Sequence, residues 1–130
     1  SITGANLVGL PQGFTLLPFT KAFLKIYALP WLPLTDGGVL ELSETLLVMC
    51  INTSLSGQLA YVEAEFFGGA GTQASACFDQ GVLIGEPLVN TRAINIALAN
   101  LGVARGSALD EFEALALGRC RATDAWVQTR

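Results

Sequence analysis

The chain contains no histidine. That absence removes Ser-His-Asp and Cys-His nucleophilic catalysis, HExxH metalloprotease chemistry and the commonest zinc ligand. Charge is scarce as well: charged residues make up 14% of the chain, whereas an average soluble domain has about a quarter. The Lys and Arg residues number only 7 and are scattered, so no basic stripe exists to follow a phosphate backbone, and nucleic-acid binding is not expected. No purely apolar run reaches the roughly 18 residues of a membrane span. The first twenty residues are uncharged, but Gly, Pro, Gln, Asn and Thr interrupt them and no basic segment precedes an apolar core, so neither a signal peptide nor a transmembrane helix is expected. The three cysteines, Cys50, Cys77 and Cys120, are an odd number without a CxxC spacing. Reduced thiols and a cytoplasmic location follow as expectations. No residue set suggests a metal or a cofactor, and none is expected.

What the chain has in excess is apolar character. Hydrophobic residues reach 52%, mean hydropathy is +0.51, net charge is −4 and the pI is near 4.6. A length of 130 residues suits a single domain spanning 1–130. So few charges on so small a body leave apolar surface for something to cover, and either a protein partner or self-association into a homo-oligomer is expected.

The organising stretch runs from Gln58 to Gly85. Residues 59–67 alternate, with Ala60, Val62, Ala64 and Phe66 on one face and Tyr61, Glu63 and Glu65 on the other. Gly68, Gly69 and Gly71 mark a hairpin turn, which lacks the GK[ST] ending of a phosphate loop and leads into a strand rather than a helix. Thr72 to Phe78 alternates again, Asp79-Gln80-Gly81 is turn chemistry, and Val82 to Ile84 reads as a short third strand ended by Gly85 and Pro87. The small residues Ala60, Ala64, Ala74 and Ala76 are expected to form one core face, leaving Glu63 and Glu65 on a solvated one.

Around this meander the chain offers short extended pieces near residues 5–10 and 14–19. A helix is expected from Lys21 to about Leu29 behind Thr20, and a largely apolar one from Glu44 to about Leu55 behind Ser43. A third is expected from Asn90 or Thr91 to Leu101, closed by Gly102, and a fourth carries Leu109, Phe112 and Leu115 and ends at Gly118. The expected fold is α+β, a small antiparallel sheet of three to five strands with helices packed mainly on one face.

Candidate chemistry is thin. Glu63 and Glu65 project from one strand face and could share a proton or hold a cation, although a solvated sheet face explains them more simply. Arg119 and Arg121 could line an anion site, or only tie the tail to the carboxylates of residues 110–113. Cys120, between those arginines, is the thiol expected to be most reactive, but no general base can be named for it. Trp31 and Trp126 read as core or interface anchors.

The segments AYVEAEFFGGAGTQASA (60–76) and INIALANLGV…DEFEALALGRCRATDAW (94–126) resemble a group of small uncharacterised bacterial proteins with a YVEAEFFGG-like hairpin and a DEFxxLxLGRxRxTxxW-like tail. The resemblance covers about the second half of the chain. It implies no activity and no catalytic residue, only that hairpin and tail belong to one surface. The function expected is therefore a non-enzymatic protein-binding, adaptor or immunity-type module. The alternative is a small-molecule binding protein or low-activity enzyme with a carboxylate and arginine pocket. The candidate binding residues are Tyr61, Glu63, Glu65, Arg119, Arg121 and Trp126. A sizeable cavity would favour the alternative; a flat apolar patch would favour the module.

Overall fold

The computed structural model describes residues 6–35, 41–64, 72–119 and 123–128. In chain order these form β1 (Val8–Gly9), β2 (Thr15–Leu16), α1 (Lys21–Ile26), α2 (Glu44–Thr53), β3 (Gln58–Ala64), β4 (Gln73–Asp79), β5 (Val82–Asn90), α3 (Ala93–Asn100), α4 (Glu111–Ala114) and α5 (Ala125–Gln128). The antiparallel meander β3-β4-β5 is the expected small sheet, and the fold is α+β. Among the described residues the N-terminal extended pieces pair only with each other, as a separate β1-β2 hairpin. No helix among the described residues is long and apolar enough to cross a membrane.

The helix boundaries follow local chemistry. Thr20 caps α1, its hydroxyl accepting the Phe23 N–H at 3.1 Å, and Ser43 caps α2 by accepting from Leu46. Helix α1 stops at Ile26, earlier than its apolar stripe suggests, because Ala28 turns to φ +52°. The N-terminus of α3 has no side-chain cap of its own. Instead Gln73, on β4, accepts the Ile94 N–H at 3.0 Å, a tertiary cap that local sequence cannot announce. Asp110 caps α4 by accepting the Glu113 N–H at 2.9 Å.

Both faces of the sheet are covered. On one, Phe23 of α1 and Leu46 and Cys50 of α2 bury against Ala76 and Phe78. On the other, Ile94 and Leu98 of α3, with Leu115, Leu117 and Trp126, enclose Val62 and Ala64. The expectation of helices mainly on one face thus resolves into α1 and α2 on one side and α3 on the other. Only one side of α2 is buried: Val48 is half exposed, so this helix is not sunk all round as its composition suggested.

The register corrects the proposed alanine face. Tyr61 pairs with Ala76 and Glu63 with Ala74, while Ala60 faces Cys77 and Ala64 faces Gln73. Directly paired residues share a face, so Ala74 and Ala76 lie with Tyr61 and Glu63, opposite Ala60 and Ala64. The alternation within each strand was legible, but its phase across the turn was not.

The third strand is also longer than expected. Ser75 pairs with Leu88 and Cys77 with Ile84, so Ala76 alone stands opposite residues 85–87 of β5. Gly85, at φ +68°, makes this bulge, and Pro87 is tolerated because β5 is an edge strand. Neither residue ends the strand.

Candidate ligand-binding cleft

A cleft of about 830 Å³ opens beside β3. Its lining includes every residue of β3, Gln58 to Ala64, although their side chains point alternately to the two faces of the sheet. Cys50, packed on one face of the sheet, and Trp126, packed on the other, line the same space, so it passes along the strand's edge. Residues 13–19, extended from Phe14 onward and including β2, line it as well, together with Trp31, Leu32, Leu101 and Trp126. The cleft therefore separates the two small sheets.

The phase of the hydrogen bonds follows from the β4-β5 turn. Gln80 and Gly81 both have positive φ, +51° and +80°, and form a two-residue loop with Asp79 opposite Val82. Residues flanking such a loop bond to each other, so Asp79 turns its main-chain groups toward β5 and Phe78, Ala76 and Ala74 turn theirs toward β3. Their partners Leu59, Tyr61 and Glu63 point inward. Ala60 and Val62 then direct their N–H and C=O groups outward along the cleft, where no described residue bonds to them.

Glu63 is 2% exposed, which corrects the expectation of a solvated carboxylate. The loop after α1 covers it. Its Oε1 accepts the Thr35 N–H at 2.8 Å, and its two oxygens share the Leu34 N–H at 3.1 Å. The Tyr61 hydroxyl donates to Oε2 at 2.5 Å. A carboxylate can enter a protein interior when several donors replace its water, and three do so here. Glu63 thus acts as a latch holding residues 34–35 onto the sheet. Burial, and then the neighbouring Glu63, push the Tyr61 phenol above its ordinary pKa.

Among the other candidates, Trp126 is buried and lines the cleft, and its indole N–H has no hydrogen-bond partner. Arg119 is exposed and lies over the Trp126 ring at 4.8 Å. It holds the tail by a cation–π contact rather than by the expected tie to carboxylates. A carboxylate does anchor the tail: Asp124 accepts the Lys21 N–H at 3.0 Å. Tyr61, Glu63 and Trp126 therefore meet at one cleft, with Arg119 behind the tryptophan. Glu65, Arg121, Cys120 and the turn of residues 68–71 lie outside the described residues. Among those described, no cluster of three His, Cys, Asp or Glu could hold a metal.

Sequence reasoning missed residues 13–19 as a wall and residues 30–35 as a latched cover. The signal within reach was the character of β3 itself. It has no Pro, Gly or Lys to guard an edge, and such a strand needs either a neighbour or an enclosure. No protein-family model, curated protein or solved structure matches the chain.

Proposed function

We propose that this protein is a non-catalytic binding protein whose cleft takes an elongated, largely apolar ligand without negative charge. The observation that carries this reading is the cleft along β3: its volume of about 830 Å³ lies in the range of about 300–1,000 Å³ typical of ligand sites. Among the described residues Glu63 is the only formally charged one in its lining, and net charge is −4, so a carboxylate or phosphate ligand finds no countercharge among them. The free thiols Cys50 and Cys77 are compatible with the reducing cytoplasm expected for it.

Trp31 and Trp126 provide the readout. The neutral dye N-phenyl-1-naphthylamine should bind saturably, one per chain, and take energy from both indoles. The substitution Ala60→Phe, which fills the cleft at the edge of β3, should weaken binding at least about tenfold. Unsaturable dye uptake, or uptake indifferent to Ala60→Phe, overturns the reading.

One observation favours the adaptor reading as a second. Val82, Ile84, Leu88 and Val89 of β5 are all exposed, and a protein partner or a second copy would cover them. The substitution Ile84→Asp should then abolish capture of a stoichiometric partner or dissociate an oligomer.

A further inference from the structure

We infer that the ligand of the cleft is an extended, apolar peptide segment that adds to the sheet as a strand beside β3. This rests on reading the cleft as a ligand site and names the chemistry of what enters it. The main-chain groups of Ala60 and Val62 face the cleft in alternation, and no described residue bonds to them. An edge strand repeats its donors and acceptors every second residue, a spacing that a peptide main chain matches and a lipid tail or aromatic ring system does not.

The side chains of such a strand would point alternately to the two sides of the sheet. Tyr61 and Leu59 wait on one side, Val62 and Trp126 on the other, so apolar residues are favoured at successive positions. Charge complementarity sets the flanks. With Glu63 the only charged one among the described lining residues and a net charge of −4, basic residues at either end of the peptide are favoured over acidic ones. At about 3.4 Å per residue, the 7 residues of β3 accommodate a segment of about five to seven.

The test uses the whole chain and a pool of blocked peptides, each with six central positions drawn from Ala, Val, Ile, Leu, Phe and Thr and one lysine at each end. The best binder should displace N-phenyl-1-naphthylamine. It is then made in two N-methylated forms, each methylated at alternate residues. Strand addition predicts that one form, whose methyl groups meet β3, loses at least about tenfold in affinity, since the N–H groups that would donate to β3 are removed. The other form should bind within about twofold to threefold. Amide exchange supplies an independent signature: Tyr61 and Glu63 are protected by β4 before binding, and the peptide should newly protect Ala60 and Val62.

If both methylated forms bind equally, or Ala60 and Val62 stay unprotected, strand addition is wrong while the cleft remains a ligand site. If the dye binds but no peptide displaces it, the ligand is not a peptide. If neither dye nor peptide binds, the reading of the cleft fails together with the inference. Protection of Ala60 and Val62 that appears with protein concentration alone, alongside dimerisation, would make the occupant a second copy and overturn the proposal.

Discussion

At one edge of the sheet β5 bulges around Gly85, carries Pro87 without an N–H and leaves Val82, Ile84, Leu88 and Val89 exposed. At the other edge β3 runs through seven residues in unbroken register, with no Pro, Gly or Lys to stop another strand from pairing. The first edge is guarded by irregular backbone, the second by enclosure between residues 13–19 and the loop that Glu63 holds down. The difference matters for function. An irregular edge refuses any strand, whereas an enclosed one admits whatever can enter the enclosure.

The largest expected effect comes from opening the enclosure. Glu63→Ala leaves the Leu34 and Thr35 N–H groups and the Tyr61 hydroxyl without their acceptor. Unpaired buried donors cost about 1–3 kcal/mol each, part of it recovered by water, so a loss of about 3 kcal/mol is expected in urea denaturation. The exposed edge of β3 should also make the variant aggregate faster on heating, with wild-type-like association overturning the role of the loop as a guard. A second substitution acts on the β5 side. Gly81→Ala must adopt φ +80° and would place its Cβ 2.9 Å from Leu55 Cδ2. The hairpin tip cannot retreat freely, because the Gly81 N–H donates to the Ser54 main-chain oxygen at 3.1 Å and Gln80 N–H to Gly57 O at 3.0 Å. Leu55 is 63% exposed and can swing its Cδ2 aside, so backbone strain sets most of the cost, about 1–2 kcal/mol, measured as a shift of the urea midpoint at unchanged slope.

These positions also mark how far the sequence could be read. Period-two alternation announced β3 and β4, the Gln80-Gly81 turn was visible, and Thr20, Ser43 and Gly102 placed helix ends within a residue or three. Each of those signals is local. The register between β3 and β4 is not, since it depends on how many residues the turn consumes, and a shift of one residue exchanged the faces of the alanines. Glu63 was misjudged for the same reason: its donors come from residues 34 and 35, far from it in sequence, and a carboxylate beside Gln and Ser reads as solvated. Tyr61, Glu63 and Trp126 stand out in the sequence as polar and aromatic residues in a chain this poor in charge, and all three lie in the lining of the cleft.

A smaller effect separates the glycines of the guarded edge. Gly85 also has positive φ, +68°, but a Cβ there meets nothing within 4 Å. Gly85→Ala therefore carries backbone strain alone, about 1 kcal/mol. It should leave dye binding at the cleft unchanged, since the bulge lies on the far strand. If Gly85→Ala costs as much as Gly81→Ala, the bulge is more tightly held than its open surroundings imply.

The smallest effect is a pH dependence on the β3 side. Burial raises the Cys50 thiol from 9.0 to about 12, and Tyr61 is raised in the same direction, first by burial and then by Glu63. Both groups are neutral in the native state and lose a proton more readily once unfolded. Their stabilising contribution is therefore complete below about pH 9 and falls away as pH rises from there toward the native-state pKa. From pH 7 to 9 the urea midpoint should be flat with respect to these two groups. By pH 9.5 the Cys50 contribution should have cost roughly 1 kcal/mol or slightly less, because only the unfolded thiol ionises in that window. Cys50→Ala lowers stability at every pH by leaving a small cavity, yet it should flatten the alkaline limb. Cys77 is also raised by burial, but it is the less buried thiol, so Cys77→Ala should leave most of the slope in place. An alkaline slope that survives Cys50→Ala and Tyr61→Phe together would mean that the groups beside β3 are not what ties this fold to protonation.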